Sequence, residues 1–173
     1  MMPHEKHRRS GPAKLAVTIV TVSTSRYAAK KGEGKASDES GDIASKEVVR
    51  LGYELARREL VSDEPEMIRG EIEHFLSGKD DVLLLLGGTG VSSRDVTIET
   101  ARPYFEKELD GFGEMLRGIS YKKIGAAAML TRATAGVAEG KLIVCLPGSP
   151  DASATALKVL GKEFPHVLFI ARS

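Results

Sequence analysis

Five apolar residues, Val82-Leu83-Leu84-Leu85-Leu86, run without a break into Gly87-Gly88-Thr89-Gly90. A short apolar run that stops at glycines is the pattern of a buried strand ending in a tight loop. Glycines have no Cβ, so the N–H groups of such a loop can approach an anion, as phosphate-binding loops do. Arg94 and Asp95 follow at once. A guanidinium suits a phosphate and a carboxylate suits a divalent cation, so one segment carries parts for both halves of a metal–nucleotide substrate. The plainer reading of the same glycines is a turn at a strand exit.

The segments around this run supply the rest of the architecture. Residues 14–24 are rich in Val, Ile and Thr and read as a first buried strand, followed by a polar loop over 25–37. A helix starts near Ser40, with Ile43, Val48 and Leu51 on its apolar positions, and residues 54–61 read as an edge-like strand. Asp63-Glu64-Pro65-Glu66 opens a helix whose apolar face is Ile68, Ile72, Phe75 and Leu76, ending at Gly78. Beyond the Gly loop, Thr97 caps a helix to about residue 109, and residues 111–121 form a short helix. Residues 129–139 and 141–146 read as strands joined by a tight turn, and Pro147-Gly148-Ser149-Pro150 leads into an Ala-rich helix over 151–162. Strands alternating with helices imply a largely parallel sheet covered on both faces. Ligands of open sheets sit beyond the carboxyl ends of the strands. Three such ends carry polar or Gly-rich loops: 23–26, 87–95 and 147–149.

Composition narrows the function. The chain has 173 residues, read as a single domain over 14–173 behind a flexible basic tail, 1–13. Lys+Arg 25 against Asp+Glu 24 gives no support for nucleic-acid binding. No apolar run is long enough to cross a membrane or to act as a signal peptide, and a cytoplasmic location is expected. The single cysteine, Cys145, lies inside an apolar run and reads as core. The four histidines, His4, His7, His74 and His166, have no metal-ligand spacing. Asn and Gln are absent, which fits a thermophilic source.

Three better-known signatures fail. Gly90 is followed by Val91 and Ser92 rather than the Lys-Ser/Thr of a P-loop. Gly34-Lys35-Ala36-Ser37 mimics the end of one, but Ala36 takes the hydroxyl position and Ala29 the first glycine. The dinucleotide fingerprint fails at Ser93, where its third glycine belongs. Gly148-Ser149-Pro150 is not a nucleophile elbow.

Taken in order, the motifs resemble the MoaB/MogA family of molybdenum cofactor biosynthesis proteins. They are Ser23-Thr24-Ser25-Arg26, Asp38-x-Ser40-Gly41, Gly87-Gly88-Thr89-Gly90-x-x-x-Arg94-Asp95-x-Thr97, Gly111-Phe112-Gly113-Glu114-x-x-Arg117-x-x-Ser120, Thr131-Arg132-Ala133 with Ala135-Gly136, and Leu146-Pro147-Gly148-Ser149-Pro150. The resemblance spans about residues 14–165 and implies the molybdopterin-binding fold, an α/β/α sandwich with a mostly parallel sheet. It further implies transfer of AMP from Mg-ATP to the terminal phosphate of molybdopterin. Trimers or hexamers, hand-over to a metal-insertion protein, and molybdenum or tungsten as the eventual metal are also implied. Ser62-Asp63-Glu64 and Arg94-Asp95 keep the acidic residues of the active branch, in a chain of MoaB-like length. Ile98 and Ser62 stand where the family usually has proline.

The expected roles are these. Asp63 and Asp95 are the catalytic carboxylates and hold Mg²⁺; their plainer readings are a helix cap for Asp63 and an ion pair with Arg94 for Asp95. Gly87, Gly88, Thr89, Gly90 and Arg94 hold phosphate, and Pro147, Gly148 and Ser149 form a second phosphate or pterin contact, with an N-cap as the alternative for Ser149. Glu114 accepts from the pterin edge or is a solvated helix carboxylate. Arg117, Ser120, Ser23 and Thr24 complete the set, the last two otherwise being turn residues. Two other functions compete: a non-catalytic molybdopterin carrier, and a related domain acting on another nucleotide.

Overall fold

Strand β3 (Val82–Leu86) lies inside a six-stranded sheet whose order is β2 (Glu54–Val61), β1 (Ala16–Val22), β3, β6 (Lys141–Leu146), β5 (Thr134–Ala138), β4 (Lys107–Glu108). The structure is a computed structural model that describes residues 14–32 and 37–173. The basic tail and residues 34–36 of the P-loop mimic lie outside the described residues. β1, β2, β3 and β6 run parallel. β5 and the two-residue β4 add an antiparallel edge.

The unbroken apolar run of β3 follows from its surroundings. Val82, Leu84 and Leu86 face one core; Leu83 and Leu85 face the other. The first core is closed by α2 (Glu39–Arg50), α5 (Asp110–Ile124), α6 (Pro150–Leu160) and α7 (Phe164–Ala171), through Ala44, Val48, Leu116, Leu157 and Leu168. The second is closed by α3 (Pro65–Ser77) and α4 (Thr97–Ala101), through Ile68, Ile72, Phe75 and Ile98. On a strand covered on both faces a polar side chain needs a buried partner, as Thr18 and Thr21 of the adjacent strand find in Asp80 and Asp38, and β3 carries none. The result is the expected three-layer α/β/α sandwich. Each fully buried leucine contributes about 2 kcal/mol of transfer free energy, so β3 is poorly suited to polar substitution.

Several boundaries differ from expectation, each for a physical reason. The first strand stops at Val22, and α1 (Thr24–Lys31) replaces part of the expected loop. Ser23 caps it, its Oγ accepting from the Arg26 N–H at 3.4 Å. α1 buries no residue, so it carries no apolar periodicity to read. Asp63 is not the cap of α3. Glu64 holds that position without a side-chain cap bond, and Asp63 reaches back to Thr24 instead. Nor does Thr97 cap a helix to residue 109, because α4 ends at Ala101 and a 3₁₀ turn, Arg102–Tyr104, follows. Pro103 has no N–H to continue an α-helix, and its ring crowds the preceding turn.

α5 runs on to Ile124, and a second 3₁₀ segment, Gly125–Leu130, postpones the strand expected from 129 to Thr134. The β5–β6 turn is as read: Glu139 and Gly140 sit at φ 53° and 69°, the left-handed pair of a two-residue hairpin. α7 was not anticipated; it sinks Phe164 and Leu168 into the first core. Cys145 is fully buried, and burial pushes its thiol up to about 12, which leaves it inert as a nucleophile.

Candidate active site

In the sheet, Thr21 pairs with Leu86, Leu86 with Leu146, and Val22 with Val61. Four parallel strands therefore end at one level, and the loops leaving them converge. They enclose a cleft of about 720 Å³. Ser23, Asp63, Gly87, Gly88, Thr89, Gly90, Asp95, Ser120, Pro147, Gly148 and Ser149 line it, as the sequence leads one to expect. Thr24, Arg94, Glu114 and Arg117 do not. Thr24 stands behind Asp63, Arg94 and Glu114 are exposed, and Arg117 lies along α5 with its Nη1 3.0 Å from where a Gly113 Cβ would sit.

Two loops meet backbone to backbone at the floor. Gly87 has φ +105°, and a Cβ there would run into the Val22 carbonyl oxygen. A Cβ on Gly148 would lie 3.1 Å from the Gly87 Cα. Ser40 Oγ donates to the Gly148 carbonyl at 2.5 Å, and Ser153 Oγ to that of Pro147 at 3.0 Å.

The carbonyls of the Gly loop are tied down. Thr97 Oγ1 donates to Gly87 O at 2.7 Å, the Thr97 N–H to Gly88 O at 2.9 Å, and Arg132 Nη1 to Gly90 O at 2.7 Å. The N–H groups of Gly88, Thr89 and Gly90 donate to no other described residue. Backbone held by its oxygens with its amides unspent is suited to an anion.

Asp63 and Asp95 flank this loop. Asp63 Oδ2 accepts from the Thr24 N–H at 2.7 Å and the Thr24 hydroxyl at 2.9 Å; its Oδ1 lies 2.8 Å from where a Gly88 Cβ would sit. Asp95 Oδ2 accepts from the Ser92 N–H at 2.9 Å and lies 2.7 Å from a Cβ placed on Gly90. Each carboxylate has one oxygen fixed, while its Oδ1 takes no hydrogen bond from a described residue. Arg94 forms no ion pair with Asp95. Ser149 occupies the N-cap position of α6, but its side chain makes no cap bond. Among the described residues no three His, Cys, Asp or Glu groups gather as a self-sufficient metal site. Mg²⁺ asks for less: one or two carboxylates, with phosphate oxygens and water filling the rest. The two aspartates fit that requirement.

A family profile described as a probable molybdopterin binding domain matches residues 18–166. The chain belongs to the MoaB/MogA family. The family's probable molybdopterin adenylyltransferase from Methanocaldococcus jannaschii is 41% identical over 163 residues, spanning 94% of this chain and 96% of its own. The molybdopterin adenylyltransferase of Pyrococcus furiosus is 37% identical over 172 residues, spanning 97% and 98%. The crystal structure of the tungsten cofactor synthesizing protein MoaB from Pyrococcus furiosus superposes with a TM-score of 0.84 at 35% identity, covering 94% of this chain and 99% of that one.

Three cleft cations of this family member carry no role assigned from sequence: Lys123, Arg132, and Arg26 of α1, which lies 4.0 Å from Asp38. Lys123, at the end of α5, donates to Asp151 Oδ2 at 3.2 Å and Thr155 Oγ1 at 3.0 Å. A lysine in the last turn of a helix reads simply as a complement to the helix dipole, so nothing marked it. Arg132 stands inside the Thr131-Arg132-Ala133 motif and pairs with Glu99 as well as Gly90. Burial alone would raise the Glu99 carboxyl; the hydrogen bond and charge of Arg132 outweigh it and hold the group below its ordinary value. Among the described residues no helix is long and apolar enough to cross a membrane.

Proposed function

We propose that this chain is a molybdopterin adenylyltransferase that transfers AMP from Mg-ATP to the terminal phosphate of molybdopterin. The observation that carries the reading is the Gly88–Gly90 loop, its carbonyls bound and its amides free, set between Asp63 and Asp95. An oxygen of the molybdopterin phosphate attacks the α-phosphorus of ATP. The bond from that phosphorus to the bridging oxygen breaks, and pyrophosphate leaves with the electron pair. Both partners are anions, so positioning and charge neutralisation are the main demands on the protein.

The amides of Gly88, Thr89 and Gly90 hold phosphate, and Gly148 and Ser149 make a second contact across the floor. Thr24 fixes the Asp63 carboxylate through two hydrogen bonds, and the Ser92 amide fixes Asp95, so both are oriented before substrate arrives. Mg²⁺ held by these carboxylates would neutralise charge between the phosphates. Ser120 lines the cleft and is a further substrate contact, whereas Arg94, Glu114 and Arg117 stand outside the lining.

The setting is a cytoplasmic pathway of molybdenum or tungsten cofactor assembly, with the adenylylated product passing to a metal-insertion protein. Residues 14–173 act as one domain, assembled as a trimer or hexamer behind the basic tail, and ultracentrifugation at micromolar concentration reads that assembly. Incubation with molybdopterin, ATP and Mg²⁺ should yield adenylylated molybdopterin and pyrophosphate. Tight molybdopterin binding with no product would favour the carrier function instead.

A further inference from the structure

The Gly loop is braced from behind by α4. Thr97 binds the carbonyls of Gly87 and Gly88. Glu99 pairs with Arg132. Arg102, just past the helix, forks onto Glu108 with Nε–Oε2 at 3.0 Å and Nη2–Oε1 at 2.9 Å, and Glu108 also accepts from Thr134 Oγ1 at 2.7 Å. A five-residue helix is thus pinned to the loop at one end and to the β4–β5 edge at the other.

Arg132 closes this frame. Its side chain is 31% exposed, and both terminal nitrogens are engaged, one with the Gly90 carbonyl and one with the Glu99 carboxylate. The other cleft cations differ: the pair of Lys123 with Asp151 is exposed on both sides, at 49% and 80%, and is open to exchange, while Arg26 reaches Asp38 only at 4.0 Å. The commitments of Arg132 point to support rather than to ligand capture. In a trans peptide the C=O and N–H point opposite ways, so fixing the Gly90 carbonyl also fixes the Val91 amide. Gly90 has no side chain of its own to limit its backbone. It also sits against Asp95 Oδ2, so its position and that of the carboxylate are linked.

We infer that Arg132, anchored by Glu99, is a positioning residue for AMP transfer that holds the Gly90 peptide and thereby sets the place of Asp95. The effect on rate rests on the adenylyltransferase reading above; the brace itself does not.

Two measurements test it. In Arg132→Ala, amide hydrogen exchange at Ser92, Asp95 and Thr97, whose N–H groups are hydrogen-bonded, should accelerate while β5 and β6 keep their protection. In AMP-transfer assays the same variant should lose kcat on the order of a hundredfold, as small misplacements of reacting groups do, with molybdopterin affinity little changed. Arg132→Lys should fall between, because an ammonium lacks the fork that spans both acceptors. Glu99→Ala combined with Arg132→Ala should be no slower than Arg132→Ala alone, since the two act as one unit. Unchanged exchange at Ser92, Asp95 and Thr97 overturns the brace. A raised KM for ATP at unchanged kcat overturns it too, and makes Arg132 a direct substrate contact. A wild-type protein that makes no product sinks the adenylyltransferase reading alone, and the exchange comparison still decides the brace.

Discussion

The two ends of the sheet use aspartates in opposite ways. At the end where β1 and β3 begin, Asp81 spends both oxygens on the fold: Oδ2 accepts from the Ala16 N–H at 2.8 Å, and Oδ1 from Arg172 at 2.6 Å. Asp80 accepts from Thr18 Oγ1 at 2.5 Å, and Lys141 Nζ donates to three carbonyls at the end of α3. At the end where the strands finish, Asp63 and Asp95 each spend one oxygen and keep the other, and three amides of the Gly loop are unspent. The same residue type is saturated by hydrogen bonds at one end of the sheet and keeps an oxygen for a ligand at the other, which is what the proposed chemistry requires. Charge alone does not separate the two ends; hydrogen-bond bookkeeping does.

The largest test of that contrast is Gly88→Val. Gly88 has φ +62°, and a Cβ would press on Thr97 Oγ1 and Asp63 Oδ1. Nucleotide and molybdopterin binding should both collapse, because the branched side chain resists the left-handed backbone and enters the anion cradle. Titration that shows wild-type affinity in a folded variant would reduce the loop to a turn.

Next comes a matched pair of aspartates. Asp95→Ala should slow AMP transfer on the order of a hundredfold or more with molybdopterin binding largely kept, since its charge matters most in the transition state. Asp81→Ala should do the reverse: stability falls by about 1–3 kcal/mol as Ala16 N–H and Arg172 lose their partner, while turnover per folded molecule holds. Denaturant melts and product assays on both variants decide it. Equal effects of the two variants on kcat would erase the distinction between the ends.

The smallest effect is in pH. Glu108 is held below its ordinary value chiefly by hydrogen bonds from Arg102 and Thr134, and Glu99 is lowered by Arg132 against the opposing effect of burial. A depressed carboxylate favours the folded state above its unfolded value, about 4.3 for Glu, and that contribution is lost as pH falls through the lower folded value. Stability should therefore be flat near neutrality and decline below about pH 4, with a shallower decline in Glu108→Gln. A variant that follows the wild-type acid curve would show that this network contributes nothing to it.

Much of the fold and the candidate site is legible in the sequence. The two-sided burial of β3 is written in five consecutive apolar residues, and the hairpin in Glu139-Gly140. The convergence of three loops follows from alternating elements, because parallel strands must share an exit side. The rest has weak local signals. α1 has no buried face, β4 is two residues long, and the clamp made by Thr97 depends on a backbone 10 residues away. Asp63 showed the limit most plainly. A carboxylate before Glu-Pro reads as a cap, yet its partner is Thr24, 39 residues upstream, and pairing across that separation leaves no periodicity to detect. Lys123 and Arg132 reach the cleft from elements whose local patterns concern helix ends and strand starts.

The contact between Gly87 and Gly148 bears on how such a protein could be redesigned. The two positions are 61 residues apart in sequence, yet both are confined by backbone: a Cβ on Gly87 runs into the Val22 carbonyl oxygen, and one on Gly148 lies 3.1 Å from the Gly87 Cα, so that chain would have to give way. A mutagenesis library aimed at new substrates would find the floor closed to single changes. Variation would accumulate instead on the rim, at Lys123, Ala127 and Leu130, where side chains line the cleft without supporting the chain beneath it. On the proposed reading, the floor that would hold phosphate is the frozen half of the site, and the rim that would meet the rest of the substrate is the half that can drift.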